Sequence, residues 1–130
     1  MSPLVIQRLI AAPFLILGGW ALFMPAMVER LGFRPEYYHG TPTTAVLIGC
    51  FGAQAVLAGL FAFFSRFTRT TFLVYGLALL PFFGFNYWFV FVAPMFTPWM
   101  ALDFAANVGM LVLCWLGWRA SAPNAQPARA

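Results

Sequence analysis

Residues 43–64 read TTAVLIGCFGAQAVLAGLFAFF, twenty-two consecutive positions without a charged side chain. The hydrocarbon core of a bilayer is ~30 Å thick, and a helix rising ~1.5 Å per residue needs ~20 apolar residues to cross it. A helix packed in a soluble domain needs no such length and carries a polar outer face. The stretch therefore reads as a membrane span, and helix is the form in which a single segment satisfies its own backbone in lipid. Three further stretches share this character, about Leu4–Met24, Thr71–Ala93 and Trp99–Trp118. The expected fold class is all-α: an integral membrane up-down four-helix bundle with spans at about 4–24, 43–64, 71–93 and 99–118.

Composition supports lipid as the solvent. Hydrophobic residues make up 63% of 130 positions and charged residues 8%, roughly a third of the ~25% share in a soluble domain. The net charge of +4 comes from 7 basic residues, all of them arginine. They are scattered rather than gathered into a stripe that would track phosphates, so nucleic acid is not an expected partner. Cys50 and Cys114 fall in separate spans at different depths, which argues against a disulfide between them.

Breaks between the spans are marked by proline and polar residues. Pro25–Pro42 is long enough for a short interfacial helix around Met27–Leu31, while Ser65–Thr70 and Pro94–Pro98 read as tight turns. Pro13 and Pro81 fall inside spans, where bilayer helices accept them as kinks. No small-x-small cleavage pattern follows Ala21, so the first span is expected to be retained. Residues 1–118 form one expected transmembrane domain, and residues 119–130, rich in alanine and proline, a short disordered cytoplasmic tail.

Arginine sets the expected orientation. Arg8, Arg66, Arg69, Arg119 and Arg129 fall on one side, and Arg30 and Arg34, beside Glu29 and Glu36, on the other. Five against two places both termini on the cytoplasmic side. Trp20, Trp88, Trp99, Trp115 and Trp118 lie mainly near span ends, where amphipathic rings anchor at headgroup level. Arg8, one turn from the cytoplasmic face, is expected to snorkel to lipid phosphates.

Spans meet in lipid through small residues that admit close backbone approach. The second span offers Ala45, Gly49 and Ala53, then Ala55 and Gly59; the fourth offers Ala101, Ala105 and Gly109. Asp103, Asn107, Met110 and Cys114 lie on another face of the fourth span, ~200° away at ~100° per residue. The expectation is that the small face packs and the other presents polar groups.

Few strongly polar side chains enter the spans: Gln7, Arg8, Gln54, Asn86, Asp103 and Asn107. Such groups face the bundle interior, a cavity or one another, because lipid offers them no hydrogen bonds. By depth, Asn86, Asp103 and Asn107 share the outer half and Gln54 lies near the middle. If their faces converge, Gln54, Asn86, Asp103 and Asn107 line a small polar ligand pocket with Tyr87 beside it and His39, Tyr37 and Tyr38 in the loop above. The Asp103 carboxylate would accept a proton, pair with a cation or anchor a mostly apolar ligand resting on Phe82, Phe83, Phe85 and Tyr87. The same amides also suit plain interhelical hydrogen bonding.

Several chemistries are disfavoured. The chain has no lysine, which removes a retinal or pyridoxal Schiff base, and no glycine-rich phosphate loop. One histidine cannot supply bis-histidine haem ligation, and His39 has only Glu36 near it as a co-ligand. No cofactor or metal is expected. Ser65, Cys50 and Cys114 have no base in reach, so no catalytic residue is assigned.

Gly18 and Gly19 before Pro25, the run Glu29-Arg30-Leu31-Gly32-Phe33, a glycine-rich second span and a polar residue early in the fourth form one pattern. In it residues 4–118 resemble small uncharacterised bacterial four-span membrane proteins of the DoxX-like kind. The resemblance implies a fold rather than an activity. Small multidrug transporters share the size and span count, but the first span here lacks the embedded glutamate that their proton coupling uses. Three functional classes follow. The first binds or moves a small lipophilic or cationic molecule through the polar pocket. The second is a non-catalytic accessory subunit of a larger membrane complex. The third is a lipid-acting membrane enzyme, which needs His39 or Glu36 to reach Asp103. Membrane lipids are expected partners in each, with a homo-oligomer or a larger membrane complex open.

Overall fold

A computed structural model describes residues 1–122 of the chain. Five α-helices carry the fold: α1 (Pro3–Phe23), α2 (Pro25–Gly32), α3 (Pro42–Phe64), α4 (Arg69–Tyr87) and α5 (Ala101–Ala120). Four segments are long and apolar enough to cross a membrane: Pro3–Phe23, Pro42–Phe64, Arg69–Val92 and Pro98–Ala120. The chain is a multi-pass, all-α membrane protein, and its spans begin and end within about two residues of their sequence-derived bounds. α5 runs to Ala120, so positions 119 and 120, given to the expected tail, are helical; the rest of that expectation falls mainly on residues 123–130, which lie outside the described residues.

Local chemistry explains where the helices start. Ser2, Thr41 and Thr68 each accept a hydrogen bond from the backbone N–H three residues on, satisfying a donor that the first turn leaves free. At Thr68 the cap is reciprocal, because the Thr71 hydroxyl accepts from the Thr68 N–H at 3.2 Å. Pro3, Pro25 and Pro42 sit in first turns, where a missing N–H costs nothing. In α4, Pro81 cannot donate to the preceding turn, and the helix then widens into a π segment at Trp88–Val92.

The most extensive helix–helix contacts are α1 with α3, α4 with α5, and α1 with α5. α1 is thus the central helix and α3 an edge helix. Gly18 and Gly52 make the α1–α3 crossing: a methyl on Gly52 would lie 2.7 Å from the Gly18 carbonyl oxygen, and one on Gly18 would lie 2.7 Å from Ala55 Cβ. Of the two small stripes on α3, the one through Ala55 and Gly59 faces α1, joined by Gly52; Ala53 of the other is exposed. α4 reaches α1 through larger side chains, with Phe14 and Tyr75 edge to face at 6.0 Å. Ile6, Ile10, Phe72, Leu79, Met110 and Cys114 form the core between α1, α4 and α5.

On α5 the expected division of faces is reversed. Ala101, Ala105 and Gly109 are exposed, and a methyl on Gly109 would meet nothing within 4 Å. The face through Asn107, Met110, Cys114 and Gly117 is the buried one. Lipid tolerates an alanine as well as a protein neighbour does, but it offers an amide nothing, so the polar face turns inward.

At the bundle end that carries the long loop, α2 is stitched to the α4–α5 connection. Thr97 N donates to the Gly32 carbonyl at 2.9 Å, Arg34 N donates to the Met95 carbonyl at 2.9 Å, and the Thr97 hydroxyl donates to the Leu31 carbonyl. Phe33 and Phe96 pair as a short antiparallel bridge with their rings 5.4 Å apart. The end of the α4–α5 hairpin is thereby fixed, and the polar residues lie just inside it.

Candidate functional site

Asp103 and Asn107 are four residues apart on α5 and so share a face one turn apart. The Asn107 amide donates to Asp103 Oδ2 at 3.0 Å. From α4 the Asn86 amide donates to the same Oδ2, also at 3.0 Å, and to the Phe82 carbonyl at 3.0 Å. Asn86 and Asn107 are buried and Asp103 is half-buried. One carboxylate oxygen thus gathers two amides from two helices.

The three side chains leave acceptors over. Both partners of Asn86 are acceptors, which fixes its nitrogen toward them and turns its oxygen away. That oxygen is buried and has no hydrogen-bond partner among the described residues. Both donors to Asp103 are neutral amides, and no cationic side chain pairs with it among the described residues. A buried acceptor without a donor costs about 1–3 kcal/mol. The triad is therefore under-supplied with donors, and a group that brings N–H or O–H, or positive charge, would complete it.

The other expected site residues stand apart from this triad. Gln54 is exposed on α3, which packs on α1 and α2 rather than on α4 or α5. Tyr87 is exposed, one position round the helix from Asn86, with its ring 5.7 Å from that of Phe91. His39, Tyr37, Tyr38 and Glu36 are exposed in the loop. Two apolar grooves, one of about 510 Å³ along Pro81, Gly84, Phe85, Trp88 and Phe89 and one between α4 and α5 along Phe72, Gly76, Cys114 and Trp118, are lined by none of Asn86, Asp103 and Asn107. Phe83 contacts Phe104, the neighbour of Asp103, edge to face at 5.7 Å.

Two buried polar residues play parts that the sequence reading did not assign. Gln7 is 1% exposed. Its amide nitrogen donates to the carbonyls of Ala62 at 3.1 Å and Ser65 at 2.5 Å, and its oxygen accepts from Phe67 N at 2.9 Å. It clamps the α3–α4 turn to α1. Glu29, 3% exposed on α2, accepts from His39 N at 3.2 Å, Gly40 N at 3.1 Å and the Thr44 hydroxyl at 3.0 Å. Burial pushes its carboxyl up, but the donors from Gly40, Thr44 and His39, with the electrostatic influence of the His39 side chain, outweigh this and hold it below its ordinary 4.5. Gly40, at φ 62°, makes the turn that aims those amides at Glu29. His39 is thus held by its backbone while its ring stays exposed, away from Asp103.

At the opposite end, arginines lie over aromatic rings: Arg8 over Phe63 at 5.1 Å, Arg69 over Trp118 at 4.2 Å and Arg119 over Trp115 at 4.9 Å. This end carries charge at an aromatic belt, whereas the triad end carries the buried Asn86 oxygen; among the described residues the Tyr75 hydroxyl, packed against Phe14 and Phe67, is the other buried side-chain atom without a partner. No protein-family model, curated protein or solved structure matches the chain.

Proposed function

We propose that this protein is a binding or transfer protein for a small molecule with an apolar body and a cationic or donor-bearing head, held at Asp103 in the outer half of a bacterial inner-membrane bundle. The observation that carries the reading is the donor deficit: among the described residues Asp103 Oδ2 is served only by neutral amides, and the Asn86 oxygen is buried without a partner. Structural glue alone would be expected to close its own hydrogen bonds, since half-satisfied networks are costly in a low-dielectric medium. A cationic head supplies Asp103 with the positive charge that its two neutral amide donors lack, while phenylalanines such as Phe83 and Phe104 suit an apolar or aromatic body.

Orientation with both termini cytoplasmic is supported by Arg8, Arg66, Arg69 and Arg119 at the termini end against Arg30 and Arg34 at the loop end. In that sense the triad lies in the outer half of the bilayer. The experiment uses the full chain in nanodiscs with phenethylammonium and its N-trimethyl analogue as probes. The expected result is saturable binding of phenethylammonium, lost in Asp103→Asn and weakened tenfold or more for the trimethyl compound, which has charge but no N–H. Equal saturable binding by wild type and Asp103→Asn would overturn the reading.

A further inference from the structure

The outward face of α3 carries a pattern that the binding site does not use. Leu47, Cys50, Gln54, Leu57, Phe61 and Phe64 follow one another at spacings of three, four, three, four and three, the a/d register of a heptad seam. All six are exposed. The seam turns away from α1, against which Gly52, Gly59 and Ala62 are buried. Val46, Ala53, Leu60 and Phe51 flank it and are exposed as well, so the face is continuous and uncharged.

Apolar residues on such a face need no explanation in lipid, but Gln54 does. It lies one position from the middle of the 23-residue helix, where its carboxamide meets neither water nor another helix of the chain among the described residues. Mid-span amides without partners are costly, and they drive helices together when each can serve the other. A carboxamide both donates and accepts, so a second Gln54 is a complete partner for it. Copies of a multi-pass chain insert in the same sense. A two-fold axis along the membrane normal therefore sets Gln54 opposite Gln54 at equal depth, as an isologous contact requires.

We propose that the protein is a homodimer that pairs through the α3 seam Leu47–Phe64 in a parallel, left-handed crossing, with the two Gln54 amides hydrogen-bonded to each other at its centre. Gln54 then occupies the a position where a single polar residue fixes register and copy number. Cys50 falls at the preceding d position, one turn away, and faces its counterpart across the seam. Cys114 is buried in the core, which leaves Cys50 as the exposed thiol.

The test oxidises the full-length protein in liposomes with copper phenanthroline, varying the lipid-to-protein ratio. The expected product has twice the 14.5 kDa mass of the chain, is absent in Cys50→Ala and persists on lipid dilution. Gln54→Leu, which places a more lipophilic side chain on an exposed face and leaves the fold intact, should weaken dimerisation about three- to thirtyfold, the equivalent of ~0.6–2 kcal/mol at ~1.4 kcal/mol per tenfold. Val74→Cys in the Cys50→Ala background, exposed on α4, should give little product. Monomer alone, a product of another mass, equal linkage through Val74→Cys, or an unchanged yield in Gln54→Leu would each overturn the proposal.

Discussion

Gly52→Ala and Gly109→Ala add the same methyl group to two spans, yet opposite outcomes are expected. At Gly52 the new Cβ would sit 2.7 Å from the Gly18 carbonyl oxygen and 2.8 Å from the Ala21 carbonyl carbon. These are backbone atoms of α1 and cannot swing aside, so α1 and α3 must separate by several tenths of an ångström along their whole crossing. Overpacking of this kind costs about 1–3 kcal/mol. At Gly109 the methyl meets nothing within 4 Å. Helix propensity favours alanine over glycine by roughly 1 kcal/mol at either site, so it cancels in the difference between the two variants. Reversible unfolding of the full chain in mixed micelles, titrated with dodecyl sulfate and followed by tryptophan fluorescence, should place Gly52→Ala about 1–3 kcal/mol below Gly109→Ala. Equal stabilities, or a loss confined to Gly109→Ala, would refute the assigned α1–α3 contact and the outward direction of the α5 small stripe.

Gln7→Leu deletes three hydrogen bonds of a side chain that is 1% exposed; at ~0.5–1.5 kcal/mol each the same unfolding titration should register a loss of roughly 1.5–4.5 kcal/mol. A loss near zero would mean that the turn holds itself. Glu29 has a folded value below its ordinary 4.5, so its contribution is full above about that pH and is lost as pH falls through the lowered value. Thermal unfolding from pH 7 to pH 3 should show wild type losing stability only in the acid part of that range. Glu29→Gln should already be weaker by about 1–3 kcal/mol at pH 7, with a flatter acid limb. Parallel pH profiles for the two proteins would contradict this.

The spans were legible because lipid imposes a length and a composition that no soluble helix needs, and residues 43–64 alone carry both signals. The convergence of Asn86, Asp103 and Asn107 was legible from depth, because two neighbouring spans joined by a short turn bring equal depths together. Gln54 was misjudged for want of a rotation angle: α3 is apolar all round, and only the close approach of Gly52 to Gly18 decides which face turns inward. On α5 the small stripe drew attention from the stronger constraint, which is that Asn107 tolerates lipid far less than Gly109 does. Gln7 and Glu29 were hidden for another reason. Apart from the Thr44 hydroxyl, their partners are backbone groups, as far away as Phe67, and no residue type at those positions advertises the bond.

Whether Asp103 meets its ligand directly is tested most sharply by infrared difference spectroscopy on the carboxylate band. Phenethylammonium added to the full chain in nanodiscs should shift the antisymmetric carboxylate stretch in wild type, and the difference signal should vanish in Asp103→Asn while Glu29 and Glu36 remain. A wild-type band that does not move at saturating probe, or a shift that survives in Asp103→Asn, would contradict the account.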